Sequence, residues 1–253
     1  LYYLTCPRLA SLIGTLESSG AIFAKGKIGA IFVEDSIIGG AGKFSGGIIT
    51  ERTVQGVLVG NSIKGGTTSG ASDFSGRIFA AIGMGAVTIG GGSAGDGLFG
   101  GTGTESGSVS CGLGVGAVTI RGEIVGGSGE SSGSIGSGGS IATPESTAIG
   151  GIGKILVTGN VTGGTGDNSA SIRSTTAMKA VQLGGDLKGG TGDFSGIIAS
   201  KTTIASLTVD GSIIGGAGTS SGSVGSDKPL GAVRVLEDVI GWTGNSSGQI
   251  VSA

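Results

Sequence analysis

Glu130, Asp167 and Asp193 are the residues whose type and spacing could most readily do chemistry, because they recur at one position of an internal repeat. Carboxylates stacked in successive layers repel, and a hard cation with oxygen ligands would relieve them. They are the candidate calcium ligands, although Lys43, Thr104 and Thr219 fill the same position elsewhere, as on a solvated surface. Arg173 follows Asp167 closely in sequence. With Asp193 it approximates the acids and base of a polysaccharide-cleaving face. Gly129-Glu130-Ser131-Ser132-Gly133, Gly218-Thr219-Ser220-Ser221-Gly222 and Gly244-Asn245-Ser246-Ser247-Gly248 fit the Gly-x-Ser-x-Gly nucleophile pattern. The chain has no histidine, so a Ser-His-acid triad cannot form within it and the usual zinc sites lose a ligand. No glycine-rich loop runs into Lys-Ser or Lys-Thr, and the Gly-x-Gly strings open no helix, which argues against phosphate and dinucleotide loops. No catalytic residue and no cofactor are expected.

The elements that carry these residues follow from the repeat. The pattern Gly-Gly-(Thr/Ala/Ser)-Gly-x-x-Ser-Gly-x-(Ile/Val) opens at Gly39, Gly65, Gly100, Gly126, Gly163, Gly189, Gly215 and Gly241, with a basic interval of 26 residues, and a degenerate copy begins near Ser11. A fixed period of this length with one apolar set per copy marks a solenoid. Five apolar columns recur. One runs Ile31, Val57, Val87, Val118, Ile155, Val181, Leu207, Val233, and another, two residues on, from Val33 to Val235. A spacing of two places both on one face of a strand. Further columns start at Ile28, Ile37 and Ile22, and none contains a charge. The expectation is a single-stranded parallel β-helix of about nine coils, right-handed, with two or three short strands per coil. At about 4.8 Å per coil the rod would be on the order of 40 Å long.

A serine stands before the last glycine of each copy: Ser19, Ser45, Ser75, Ser106, Ser132, Ser169, Ser195, Ser221 and Ser247. A small hydroxyl repeated at a corner is expected to bond neighbouring backbone and form a ladder along the rod. Copies two, three and five are longer, with extra residues around 67–72, around 91–97 and between 134 and 151. Insertions in solenoids emerge as corner loops, where binding faces form. The threonine file Thr102, Thr165, Thr191 and Thr243 is interrupted by Ala41, Ser128 and Ala217, which suits ice poorly. Phe44, Phe74 and Phe194 share a column with gaps between them.

Composition narrows the function further. Fifteen basic residues face seventeen acidic ones without a Lys/Arg cluster, so nucleic acid is not an expected partner. No apolar run approaches the 18 residues of a membrane span. Cys6 and Cys111 have unlike surroundings and are expected to be thiols rather than a framework. Residues 1–10, with Tyr2, Tyr3, Leu4 and Leu9, form an apolar plug or an inter-subunit segment ahead of a solenoid domain at 11–253.

Gly163-Gly164-Thr165-Gly166-Asp167 and Gly189-Gly190-Thr191-Gly192-Asp193 resemble the nonapeptide of calcium-binding β-rolls, but the period and the place of the acid differ, so that function is not carried over. From about Ser11 onward, runs such as Gly116-Ala117-Val118-Thr119-Ile120-Arg121-Gly122-Glu123-Ile124-Val125-Gly126-Gly127 resemble the glycine-rich repeats of bacterial surface proteins of the autotransporter-passenger or adhesin kind. That resemblance implies an extracellular or cell-surface structural role without enzymatic activity, and the expectation is a subunit of a head-to-tail filament or a segment of a surface stalk or adhesin. The expected partner is a second copy, end to end as a homopolymer, or surface glycans. The second expectation is a polysaccharide-binding or polysaccharide-cleaving β-helix of the pectate-lyase kind.

Overall fold

A computed structural model describes residues 20–68, 72–138 and 151–253. Cys6 and the apolar segment 1–10 lie outside the described residues, as does most of the longest insertion. Among the described residues every regular element is a β-strand. The strands form three sheets of nine, ten and eight members, each interior member paired in parallel with the coils before and after it. The first sheet holds one three-residue strand per coil, from Ile22–Ala24 to Ile250–Ser252. The second holds the long strands, such as Thr53–Val59 and Ile204–Val209, and the third the short ones, such as Ile213–Ile214. Eight full turns result, with Ile250–Ser252 opening a ninth. The chain is an all-β parallel solenoid.

The apolar columns pair as their spacing requires. Ile31 pairs with Val57, Val57 with Val87, and the file continues through Leu207 to Val233. Ile22 begins a second file that reaches Ile250. All five columns line the interior of the interior turns, where Val59, Ile89, Ile120, Leu183 and Val209 are fully buried. Ile28 and Ile31 stand three apart, which a flat strand would put on opposite faces. Between them the second sheet bends, and in the fourth coil the bend splits the strand into Gly114–Val115 and Val118–Ile120.

The corner between the third and first sheets shows why the repeat is rich in glycine. Gly103, Gly129, Gly166, Gly192, Gly218 and Gly244 stack on one another. A Cβ on Gly192 would stand 2.3 Å from the Gly166 carbonyl oxygen, and one on Gly218 2.0 Å from that of Gly192. Backbone here packs directly on backbone. The corner then turns through two left-handed residues on either side of the repeated serine. The first is Phe44, Phe74, Glu105, Ser131, Asn168, Phe194, Ser220 or Ser246, at φ from 51° to 60°, and the second is glycine except at Ala170. The serine hydroxyl accepts the N–H of the second glycine of its own Gly-Gly pair, or of its equivalent, five residues earlier in most coils and nine earlier at Ser75, where an insertion intervenes: Gly40 and Gly66 at 2.8 Å, and Gly101, Gly127, Gly164, Gly190 and Gly216 at 3.0 Å. Each hydroxyl thus closes its own corner rather than forming the expected ladder along the rod. The contact along the rod comes instead from the serine carbonyls, which accept N–H groups of the next coil, as from Gly222 to Ser195.

This packing sets three different costs for three substitutions. Val209→Asp would bury an unpaired carboxylate and cost several kcal/mol. Gly192→Ala would force two coils apart and should also lower the melting temperature clearly. Ser220→Asp falls at a half-buried left-handed position where Asn168 and Glu105 stand in other coils, and should be nearly silent. Equal losses in thermal melts for all three would show that the columns are assigned wrongly.

Candidate functional site

The acidic column lies on the glycine corner, one residue before the left-handed position. Asp167 Oδ1 accepts the N–H of Asp193 at 2.8 Å, and Asp193 Oδ1 accepts that of Thr219 at 2.7 Å. Asp73 does the same for Thr104 at 2.9 Å. Each aspartate therefore bonds the backbone of the coil above it. Among the described residues no three of His, Cys, Asp or Glu converge, so Glu130, Asp167 and Asp193 do not come together as a calcium cage. Neither Asp167 nor Asp193 is ion-paired with Arg173. A second polar column follows the same rule before the third sheet. There the N–H of Asp186 goes to Asn160 Oδ1 and that of Ser212 to Asp186 Oδ1, both at 2.8 Å. Lys188 Nζ reaches Asp186 at 2.8 Å, and this bond, with the Ser212 N–H, holds the Asp186 carboxyl below its usual range.

The insertion in the third coil is organised from within. Its peptide N–H groups at Gly91, Gly92 and Ser93 converge on Asp96 Oδ2 at 2.9, 3.1 and 2.9 Å, and Asp96 is buried. The loop closes on its own carboxylate. The sole acid in a stretch of Gly, Ser and Ala was the signal for it. At the second insertion, Ser72 is fully buried and its hydroxyl donates to the Thr68 carbonyl at 2.7 Å.

The site that sequence reasoning missed is a groove of about 650 Å³ on the outer surface of the first sheet. In each three-residue strand the two end residues point inward and the middle one outward. The outward file reads Phe23, Ile49, Phe79, Ser110, Gly136, Arg173, Ala199, Gly225, Val251. Large side chains stand at its ends and, apart from Arg173, small ones through its middle, and the loss of side-chain volume on either side of Arg173 is the groove. Gly136 and Gly225 differ from the corner glycines. A Cβ at Gly225 meets nothing within 4 Å, and one at Gly136 meets only Ser110 Cβ at 3.8 Å. These two glycines are an open surface rather than a backbone requirement.

Two guanidinium groups mark the groove. Arg77 lies 2.6 Å from Glu105, donates to Ser110 Oγ at 2.9 Å, and stacks over Phe79 at 4.4 Å and Phe74 at 5.1 Å. Burial pushes its pKa down, and Glu105 opposes that shift. Phe74 in turn stacks on Phe44 at 5.1 Å and Phe44 meets Phe23 edge-on at 5.9 Å, so two members of the phenylalanine column join a cluster at this end of the rod while Phe194 stands apart. Arg173 is different. It stacks over Phe194 at 5.6 Å, burial lowers its pKa, and its enclosed Nε has no hydrogen-bond partner. Cys111 lies just inside the groove floor as a free buried thiol, its pKa pushed up to about 11 by burial.

No family model matches this chain, and neither a curated protein nor a solved structure does.

Two measurements follow. Because the acids of the corner column are separately engaged with backbone, chelation should leave the melting temperature within a few degrees. A large drop restored by calcium would make Glu130, Asp167 and Asp193 ligands. For Cys111, the folded pKa of about 11 exceeds the ordinary 9.0. Its contribution to stability is then complete below pH 9 and lost as pH rises towards 11, about 3 kcal/mol in all. Cys111→Ala, which places there the residue of the paired position Ala80, should remove that part of the alkaline decline in stability.

Proposed function

We propose that this chain is a non-enzymatic structural rod of an extracellular or cell-surface assembly, built by end-to-end stacking of copies. The observation that carries the reading is the last turn. Val233, Val239 and Ile240 are 39%, 49% and 39% exposed, whereas Leu207 and Ile213 in the preceding turn are 1% and 0% exposed. Trp242 is 66% exposed beside them. The strands Leu230–Val235, Val239–Ile240 and Ile250–Ser252 each pair on one side only among the described residues. An apolar face bordered by unpaired strand edges is a template for a further coil. A second copy can supply one, as can a further turn of a longer stalk, because the first described turn repeats the same columns with Ile28, Ile31, Val33 and Ile37. A head-to-tail contact of this kind does not close on itself, and its product is a filament.

Supporting the surface role are the low charge, the Gly/Ser/Thr-rich composition and the resemblance to glycine-rich bacterial surface and adhesin-like repeats. Against the polysaccharide-cleaving alternative, the acids it would use, Asp167 and Asp193, are engaged with backbone on a corner, and Glu105 in the groove is held by Arg77.

Sedimentation and electron microscopy across a concentration series should show rods lengthening with concentration, and Trp242 fluorescence should shift to the blue as its ring is covered. Val239→Lys places a charge in the seam and should return the protein to single rods without lowering the melting temperature of the body. A strictly monomeric protein at high concentration would overturn the reading.

A further inference from the structure

We propose that the groove on the first sheet is half of a self-complementary surface, through which two copies of this chain pair side by side with their rod axes opposed. The pairing is lateral and does not rest on end-to-end stacking. Turning one rod over about a two-fold axis that runs along the strands brings the two first sheets face to face, with the fifth turn on the axis. The layer spacing is the same in both rods, so the first turn meets the ninth, the second the eighth, the third the seventh and the fourth the sixth. On the outward file Phe23 then faces Val251, Ile49 faces Gly225, Phe79 faces Ala199 and Ser110 faces Arg173, while Gly136 faces itself. Bulk is set against vacancy along the file. Rods running the same way would instead set Phe79 on Phe79 and Gly225 on Gly225, a collision and a void.

The flanks of the file agree with this register. The two-fold axis keeps corner against corner, so Phe44 faces Ser220 and Phe74 faces Phe194. Phe194 is 43% exposed, which leaves its ring open to an aromatic partner. Charge is matched as well. Arg173 is ion-paired with no acid among the described residues, and the turn that faces it carries Glu105, half-buried and held by Arg77. Each Glu105 would then lie between an arginine of its own chain and one of its partner, twice in the interface. On the other flank Glu51 faces Asp227, and Lys201 in the neighbouring layer offsets the like charges. Nine turns by about five residues make a face of about 40 Å by 15 Å, or about 600 Å² per copy and 1,200 Å² in the pair, where stable interfaces begin.

The open glycines supply the test, run on the Val239→Lys chain so that end-to-end stacking does not contribute. Sedimentation equilibrium should show its unit-length rods associating in pairs. A Cβ at Gly225 meets nothing within 4 Å in its own chain, so Gly225→Ile sets a side chain against Ile49 of the partner without straining the fold. It should weaken pairing by about tenfold or more, as overpacking a matched surface does. Adding Ile49→Gly exchanges the two residues and should restore pairing. Lys179→Gln, an exposed lysine on the second sheet, should leave it unchanged. Direction is read from cysteines on air oxidation, with Cys6 replaced by serine. Gly136→Cys should give a disulfide-linked dimer, and so should Gly225→Cys combined with Ile49→Cys, whereas Gly225→Cys alone should not. Melting curves establish that each variant is folded; if the isoleucine variants are not, the cysteine pattern decides. Unit-length rods that stay single at every concentration would overturn the pairing, even where the unaltered chain still lengthens end to end, and would leave the groove to a ligand of other chemistry. Indifference to Gly225→Ile, or linkage through Gly225→Cys alone, would overturn it as well.

Discussion

The distance between stacked coils governs this molecule. Parallel main-chain ladders on three sides hold each turn about 4.8 Å from the next. At the glycine corner that distance leaves no room for a side chain between layers, as the 2.0 Å from a Gly218 Cβ to the Gly192 carbonyl oxygen shows. Glycine is therefore a steric necessity of the stack there, and the same closeness lets the carboxylate of one layer reach the amide of the next. Asp167 and Asp193 use that reach, and so do Asn160 and Asp186 at another corner. What resembles a metal-binding file in one dimension is a set of separate bridges in three.

The serine corner shows a second economy. Two left-handed residues flank each serine, a costly arrangement for residues such as Phe44 and Phe194. The hydroxyl closes a turn that the backbone alone would leave with an unpaired amide. Polar residues at these corners thus work mostly within the fold, and the groove is where that stops. On the outward file of the first sheet nothing demands a given residue, so Phe79, Gly136 and Arg173 can share one column.

Those two regimes decide what could be read from the sequence. The five interior columns were legible because one physical demand, exclusion of water, acts on every coil at the same place. Pairings such as Met178 with Ile204 follow from it. The groove was illegible because it consists of side chains that are missing, and Gly136 and Gly225 are indistinguishable in sequence from corner glycines. The role of Asp96 required knowing that three amides of its own loop turn towards it. The engagement of Asp167 and Asp193 required the layer spacing as well as the column.

The uniform sequence distance between paired strands carries a kinetic consequence. Asp167 and Asp193 are 26 residues apart, and Ser137 and Ser174, across the longest insertion, are 37 apart. Closing the longer loop costs only about 0.3 kcal/mol more in chain entropy. Once any two turns have zipped together, each further turn pays nearly the same small entropic toll and settles on an ordered edge. Folding can then begin at an interior seam and advance in both directions by templated growth. A chain emerging from the ribosome could add one turn for every 26 residues or so released, without waiting for its far end.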